Sequence, residues 1–225
     1  MSTLRAALAI AAKDLRIEWR HKTALLTATM FAVLVLLIFV FARDPASVPL
    51  AAIAPSVLWV TLALSALVAL NRAFLLEREH AALEGILLAP VARQALFWGK
   101  WLANLAFVLT VQAVAFPIWI LFFNVTLAPA LLAVAAVALL ASIGFTAVGT
   151  LFSAMAVRTR FAELLLPVLL LPFMIPPLFA ASEATVRLLA GRPMGELWGW
   201  LRLLALYDLA FLVLANLLFP VVVDE

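Results

Sequence analysis

Apolar residues along this chain gather into six long runs, and a charged stretch at 72–100 parts the second run from the third. About 20 consecutive apolar residues are enough for a helix to cross a bilayer. The runs cover 23–42, 48–70, 101–123, 127–157, 164–181 and 203–223, so the pattern predicts six transmembrane helices. The fourth exceeds what a bilayer requires, which predicts tilt or projection. The fifth carries Pro167, Pro172, Pro176 and Pro177. Each proline removes a backbone N–H, so a kink or break is expected there, with freed carbonyls finding partners elsewhere.

Residues 1–22 follow a different pattern. On a helix, Leu4, Leu8, Ala11, Ala12, Leu15 and Trp19 fall on one side, and Arg5, Lys13, Arg16 and Arg20 form a stripe beside it. That is an interfacial helix, with its apolar face in the acyl boundary and its basic side chains toward anionic headgroups. It lacks the apolar core and small-residue cleavage site of a signal peptide. The expected fold is therefore an all-α integral membrane protein, one domain over 1–225, with an N-terminal amphipathic helix and six spans.

Composition agrees. Hydrophobic residues make up 68% of 225 and charged ones 12%, with mean hydropathy +1.22; a soluble domain has about 25% charged residues. The net charge of +3 reports orientation rather than nucleic-acid binding. With the N-terminus inside, eleven Lys and Arg fall on the cytosolic side, from Arg5 to Arg160, against Arg43, Arg187, Arg192 and Arg202 outside. Both termini are then cytosolic, and 182–202 is an outer loop whose Val186, Leu188, Leu189, Leu197 and Trp198 form short surface pieces.

Little in the chain can do chemistry. It has no cysteine and no Gly-rich phosphate loop, so neither thiol chemistry nor ATP binding belongs to it. His21 and His80 are far apart, and no carboxylates cluster, so no catalytic or metal site is expected. The one ionisable residue well inside a span is Asp208, beside Tyr207. It either serves a structural role, reaching interfacial water or pairing with Arg202, or is a functional intramembrane group. Trp59 in the second span is either core packing or an aromatic face on a central cavity. In the fourth span Ser142, Thr146, Thr150 and Ala154 recur every fourth residue, beside Gly144 and Gly149, a pattern for close helix approach.

Energy must enter from outside, and 72–100 is the place for it. Glu77, Arg78, Glu79, His80 and Glu84 make a polar start, followed by the apolar Ile86, Leu87 and Leu88 and then Pro90. Such an element can set its apolar side into a partner's groove while its charges fix register. The alternative is a solvated hairpin, but plain connections run about 2–8 residues.

The sequence Leu83-Glu84-Gly85-Ile86-Leu87-Leu88-Ala89-Pro90 between spans two and three, with the basic N-terminal helix, resembles the type-2 ABC exporter permeases. Ile53-Ala54-Pro55-Ser56-Val57-Leu58-Trp59-Val60 and Leu169-Leu170-Leu171-Pro172-Phe173-Met174-Ile175-Pro176 are similar to the heme exporter B family, the permeases of the cytochrome c maturation ABC transporter. The resemblance implies an inner-membrane permease without catalysis of its own, coupling ATP hydrolysis on a partner to heme export or to release of a heme-loaded periplasmic chaperone. It implies two copies of the permease with two cytosolic ATPase subunits, a heme-handling membrane protein and a small single-span subunit. Glu77, Glu79, Glu84, Gly85, Ile86, Leu87 and Pro90 are then the ATPase-coupling residues. Ile53, Pro55, Trp59, Pro172 and Pro176 shape the central path, ATP sits on the partner, and heme belongs to the assembled complex. A permease for another amphipathic substrate (lipid, drug or polysaccharide) and a non-conducting scaffold are the competing readings.

Overall fold

A computed structural model describes residues 3–44, 46–79, 92–125, 130–156 and 162–224. Among them every regular element is a helix: α1 Thr3–His21, α2 Thr23–Ala42, α3 Leu50–Glu79, α4 Arg93–Phe123, α5 Leu131–Ala156, α6 Ala162–Leu189 and α7 Met194–Asp224. Six of them, α2 to α7, are long and apolar enough to cross a membrane. Their exposed residues are apolar too: Leu132 is 84% exposed, and Phe41, Leu121 and Met30 also point outward. Exposed apolar surface on this scale requires a lipid solvent.

Helix ends depart from the sequence-based spans where charge, rather than backbone preference, ended an apolar run. The second span is the membrane part of α3, which stays helical through the charged residues to Glu79. The third begins at Arg93, not 101. At 1.5 Å per residue the 31 residues of α4 extend about 46 Å, well over a hydrocarbon core of about 30 Å. The expected outer loop at 182–202 is a correction: α6 runs to Leu189 and α7 starts at Met194, leaving only 190–193 as a connection. Gly191 supplies the left-handed turn there, with φ 65°.

The four prolines do not break α6, which is helical throughout. Pro172 and Pro176, one turn apart, lie on its exposed side, while Pro177 is buried.

The interfacial helix has three sides. Leu4, Leu8 and Trp19 are exposed, as are Arg5, Lys13, Arg16 and Arg20. Ala6, Ala7 and Ala11 are buried, because α1 packs along α4. A single left-handed residue, Lys22 at φ 56°, joins α1 to α2.

In the core, α5 touches α3, α4, α6 and α7. One cluster gathers Trp59, Leu62, Trp119, Phe123 and Phe145; a second, smaller one joins Leu96, Phe97, Leu151, Ala154, Ala215 and Phe219. Ile10 packs against this second cluster, so it lies at the end of the bundle that carries α1.

Candidate functional site

Two regions of the fold carry candidate residues: the α3–α4 ends, and the packed centre.

Glu77 and Glu79 fall on the last turns of α3. His80, Glu84, Gly85, Ile86, Leu87 and Pro90 lie outside the described residues. Where the chain is described again, α4 opens at Arg93, its first turn held by Ala95 N–H donating to the Ala92 carbonyl at 2.9 Å. Phe97, Trp98 and Trp101 then meet edge to face in sequence, and Phe219 meets Phe97 at a tilt, with centroids 5.3 to 5.5 Å apart. Trp101 Nε1 donates to the Ile143 carbonyl at 3.2 Å, tying α4 to α5. Lys100, just ahead of the apolar run, is a buried cation. It is 9% exposed, and its ammonium lies 2.7 Å from Asp14 Oδ2 of α1.

At the centre, Trp59 is 1% exposed. Its indole N–H donates to Thr185 Oγ1 at 2.9 Å, and that hydroxyl donates to the Ala181 carbonyl at 2.8 Å. An indole enclosed in this way holds α3 against α6. Pro55 is buried within α3, Ile53 is half-buried against the core, and Trp119 Nε1 donates to the Ala54 carbonyl between them at 2.8 Å. Pro172 and Pro176 stand on the exposed side of α6, whereas Trp59 and Pro55 are buried.

The hydroxyl stripe of α5 has a partner that the sequence reading missed. Gln112 Nε2 donates to Ser142 Oγ at 2.7 Å, and Asn104 Nδ2 donates to Thr150 Oγ1 at 2.9 Å. The amides lie eight residues apart on α4 and the hydroxyls eight apart on the antiparallel α5, in reversed order. Each hydroxyl also donates to the carbonyl four residues back, so it is satisfied twice. Two amides in one apolar run at that spacing were the available signal.

Tyr207 and Asp208 face inward from α7. The Tyr207 hydroxyl donates to the Phe173 carbonyl at 2.6 Å. Its ring meets Phe211, which reaches Phe173 and, through it, Phe152. Asp208 is 6% exposed, and neither carboxyl oxygen has a hydrogen-bond partner among the described residues. Gly144 of α5 makes the room: a Cβ there would stand 2.4 Å from Asp208 Oδ1 and 2.5 Å from Tyr207 Cδ1. The pairing of Asp208 with Arg202 does not occur. Six residues place them on different sides of α7, and Arg202 instead lies over the Trp198 ring at 5.5 Å.

At the far end of α6, Arg187 pairs with Glu183 and lies 5.1 Å over Trp200. Among the described residues, no three His, Cys, Asp or Glu side chains group as a metal site would need.

Comparison with known proteins places this bundle among relatives. The sequence profile of the CcmB protein family matches residues 5–224. Heme exporter protein B of Paracoccus denitrificans is 32% identical over 183 residues, 81% of this chain and 84% of the relative. That of Rhodobacter capsulatus is 29% identical over 179 residues, 80% and 82% of the two chains. That of Bradyrhizobium diazoefficiens is 30% identical over 181 residues, 79% and 81%.

Proposed function

The chain belongs to the CcmB protein family, and from that premise we propose that it is the membrane permease of an ABC transporter in cytochrome c maturation, driven through its 80–91 segment by a cytosolic ATPase. The observation that carries this reading is the pair of helices framing that segment. α3 stays helical beyond its apolar part, which ends at Asn71, and α4 is already helical from Arg93, ahead of its long apolar run. Both then continue into the packed core, α3 through the Trp59–Thr185 bond and α4 through the Gln112 and Asn104 bonds. A push on the segment therefore meets rods seated in the bundle, whereas a slack loop would absorb it.

Glu77, Glu79, Glu84, Gly85, Ile86, Leu87 and Pro90 make the ATPase contact in this reading. The apolar Ile86 and Leu87 enter the partner's groove, and the carboxylates fix register. The chain works in the inner membrane as one of two permease copies, with both termini cytosolic. It is joined by a heme-handling membrane protein and a small single-span subunit. Its cargo is heme, or a heme-loaded chaperone released outside, with iron ligation on a partner; His21 and His80, on the cytosolic side, are not axial ligands.

The test is co-expression with the ATPase subunit, followed by affinity capture, ATP hydrolysis and a heme absorbance spectrum. Leu87→Asp should abolish ATPase capture while the protein still inserts. Capture and heme delivery at the native level in that variant would refute the coupling assignment.

A further inference from the structure

The helix that leaves the 80–91 segment is tied to the interfacial helix more closely than a surface element needs. Lys100 Nζ lies 2.7 Å from Asp14 Oδ2, and Lys13 meets the other Asp14 oxygen at 3.0 Å. The pair is mostly enclosed, with Lys100 buried and Asp14 half-buried. Beside Lys100, Gly99 has no room for a side chain: a Cβ would stand 2.7 Å from Ile10 Cβ and 2.8 Å from the Ala7 carbonyl oxygen. Ile10 in turn packs onto the cluster of Leu96, Phe97 and Phe219. Three contacts of different kinds, ionic, backbone-close and apolar, thus seat α1 on the first two turns of α4.

Toward α2 the connection is thin. α1 packs much more extensively on α4 than on α2, although only Lys22 separates α1 from α2 in the chain. That residue sits in the left-handed region, where a side chain is disfavoured and rotation can be concentrated.

We propose that Asp14 and Lys100 are positioning residues that clamp α1 to α4, so that displacement entering through 80–91 moves these two helices as one body about Lys22. This rests on the coupling reading above and deepens it, because it states where the motion goes. A mostly enclosed ion pair suits such a clamp. Separating its members exposes each to a medium that solvates charge poorly, so the joint resists sliding, whereas an exposed pair yields easily. Lys13, which meets Asp14 at 3.0 Å, and Glu18, four residues on, are the charged neighbours of Asp14 along α1.

The experiment uses the permease assembled with its ATPase in nanodiscs, measuring ATP hydrolysed and heme or heme-loaded chaperone released in the same sample. Hydrogen exchange over α1 is read alongside. Asp14→Asn and Lys100→Met should each keep the ATPase bound, raise exchange in α1 and lower release per ATP by about tenfold. The charge-reversed double variant, Asp14→Lys with Lys100→Asp, should recover both. Single variants with a loosened α1 but native release per ATP would overturn the proposal. So would a double variant whose α1 is reseated while release stays low. A wild-type complex that hydrolyses ATP without any release is a separate result: it sinks the transport reading, and the clamp's role with it.

Discussion

The Tyr207 hydroxyl, on α7, caps the Phe173 carbonyl of α6 at 2.6 Å, and that carbonyl has no ordinary helical donor. The residues three and four positions beyond Phe173 are Pro176 and Pro177, and neither has an N–H. The bond therefore repairs the backbone at the proline pair and fixes α7 against α6 at one height. Tyr207→Phe should lower stability by about 1 kcal/mol, measured by reversible unfolding in mixed micelles. The same change in a Pro177→Ala background should cost clearly less, because the helix then supplies its own donor. Equal costs in the two backgrounds would show that the carbonyl does not depend on Tyr207.

Gly144 and Gly199 make opposite predictions for one substitution. Alanine at 144 meets the Asp208 carboxyl and the rigid Tyr207 ring, so α5 and α7 must part, at about 1–3 kcal/mol. Alanine at 199 meets nothing within 4 Å inside a helix, so it should be neutral or stabilise by up to about 1 kcal/mol. Thermal unfolding of the two variants side by side checks the contrast. A tolerated Gly144→Ala would mean that the two helices do not approach this closely.

The amide and hydroxyl pairs between α4 and α5 lend themselves to a double-mutant cycle. Gln112→Leu and Ser142→Ala should couple by about 0.6 kcal/mol, within a ceiling of about 1.7 for such pairs in membranes. Gln112→Leu with Thr150→Ala, which pairs with Asn104 instead, should be additive. Coupling in the second cycle as large as in the first would contradict the register.

Topology can be read with single cysteines, since the native chain has none. Arg192→Cys, exposed in the α6–α7 turn, should react with an impermeant maleimide in intact cells. Lys13→Cys, exposed on α1, should react only after permeabilisation. Thr185 is unsuitable as an outer reporter because it is fully buried under Trp59. The reverse labelling pattern would invert the orientation derived from the Lys and Arg bias.

Membrane helices were legible in the sequence wherever hydropathy alone decides them, as in α2, where the apolar run and the helix coincide at Thr23–Ala42. The reading faltered where helix and apolar run part company. Charged residues at 72–79 and 93–100 ended the hydropathy signal, yet Glu, Arg and Lys are good helix formers, so the helices continue. At 182–202 the same error made a loop of two helix ends. Asp208 stood out as an ionisable residue in an apolar run, but its neighbour Gly144 is 64 positions away and no local pattern links them. Trp59 was readable as an aromatic in a span; that its N–H meets Thr185 depends on how α3 and α6 cross.

The seat of the interfacial helix also imposes an order on biogenesis. Asp14 leaves the ribosome long before Lys100, and the groove that receives Ala7 and Ile10 does not exist until Gly99 has emerged and α4 has inserted. Meanwhile α2 and α3 are already committed to the bilayer. During that interval α1 has only its thin contact with α2 and the lipid headgroups to hold it, with its alanine side uncovered. Its final docking is therefore a late event, set by the insertion of α4.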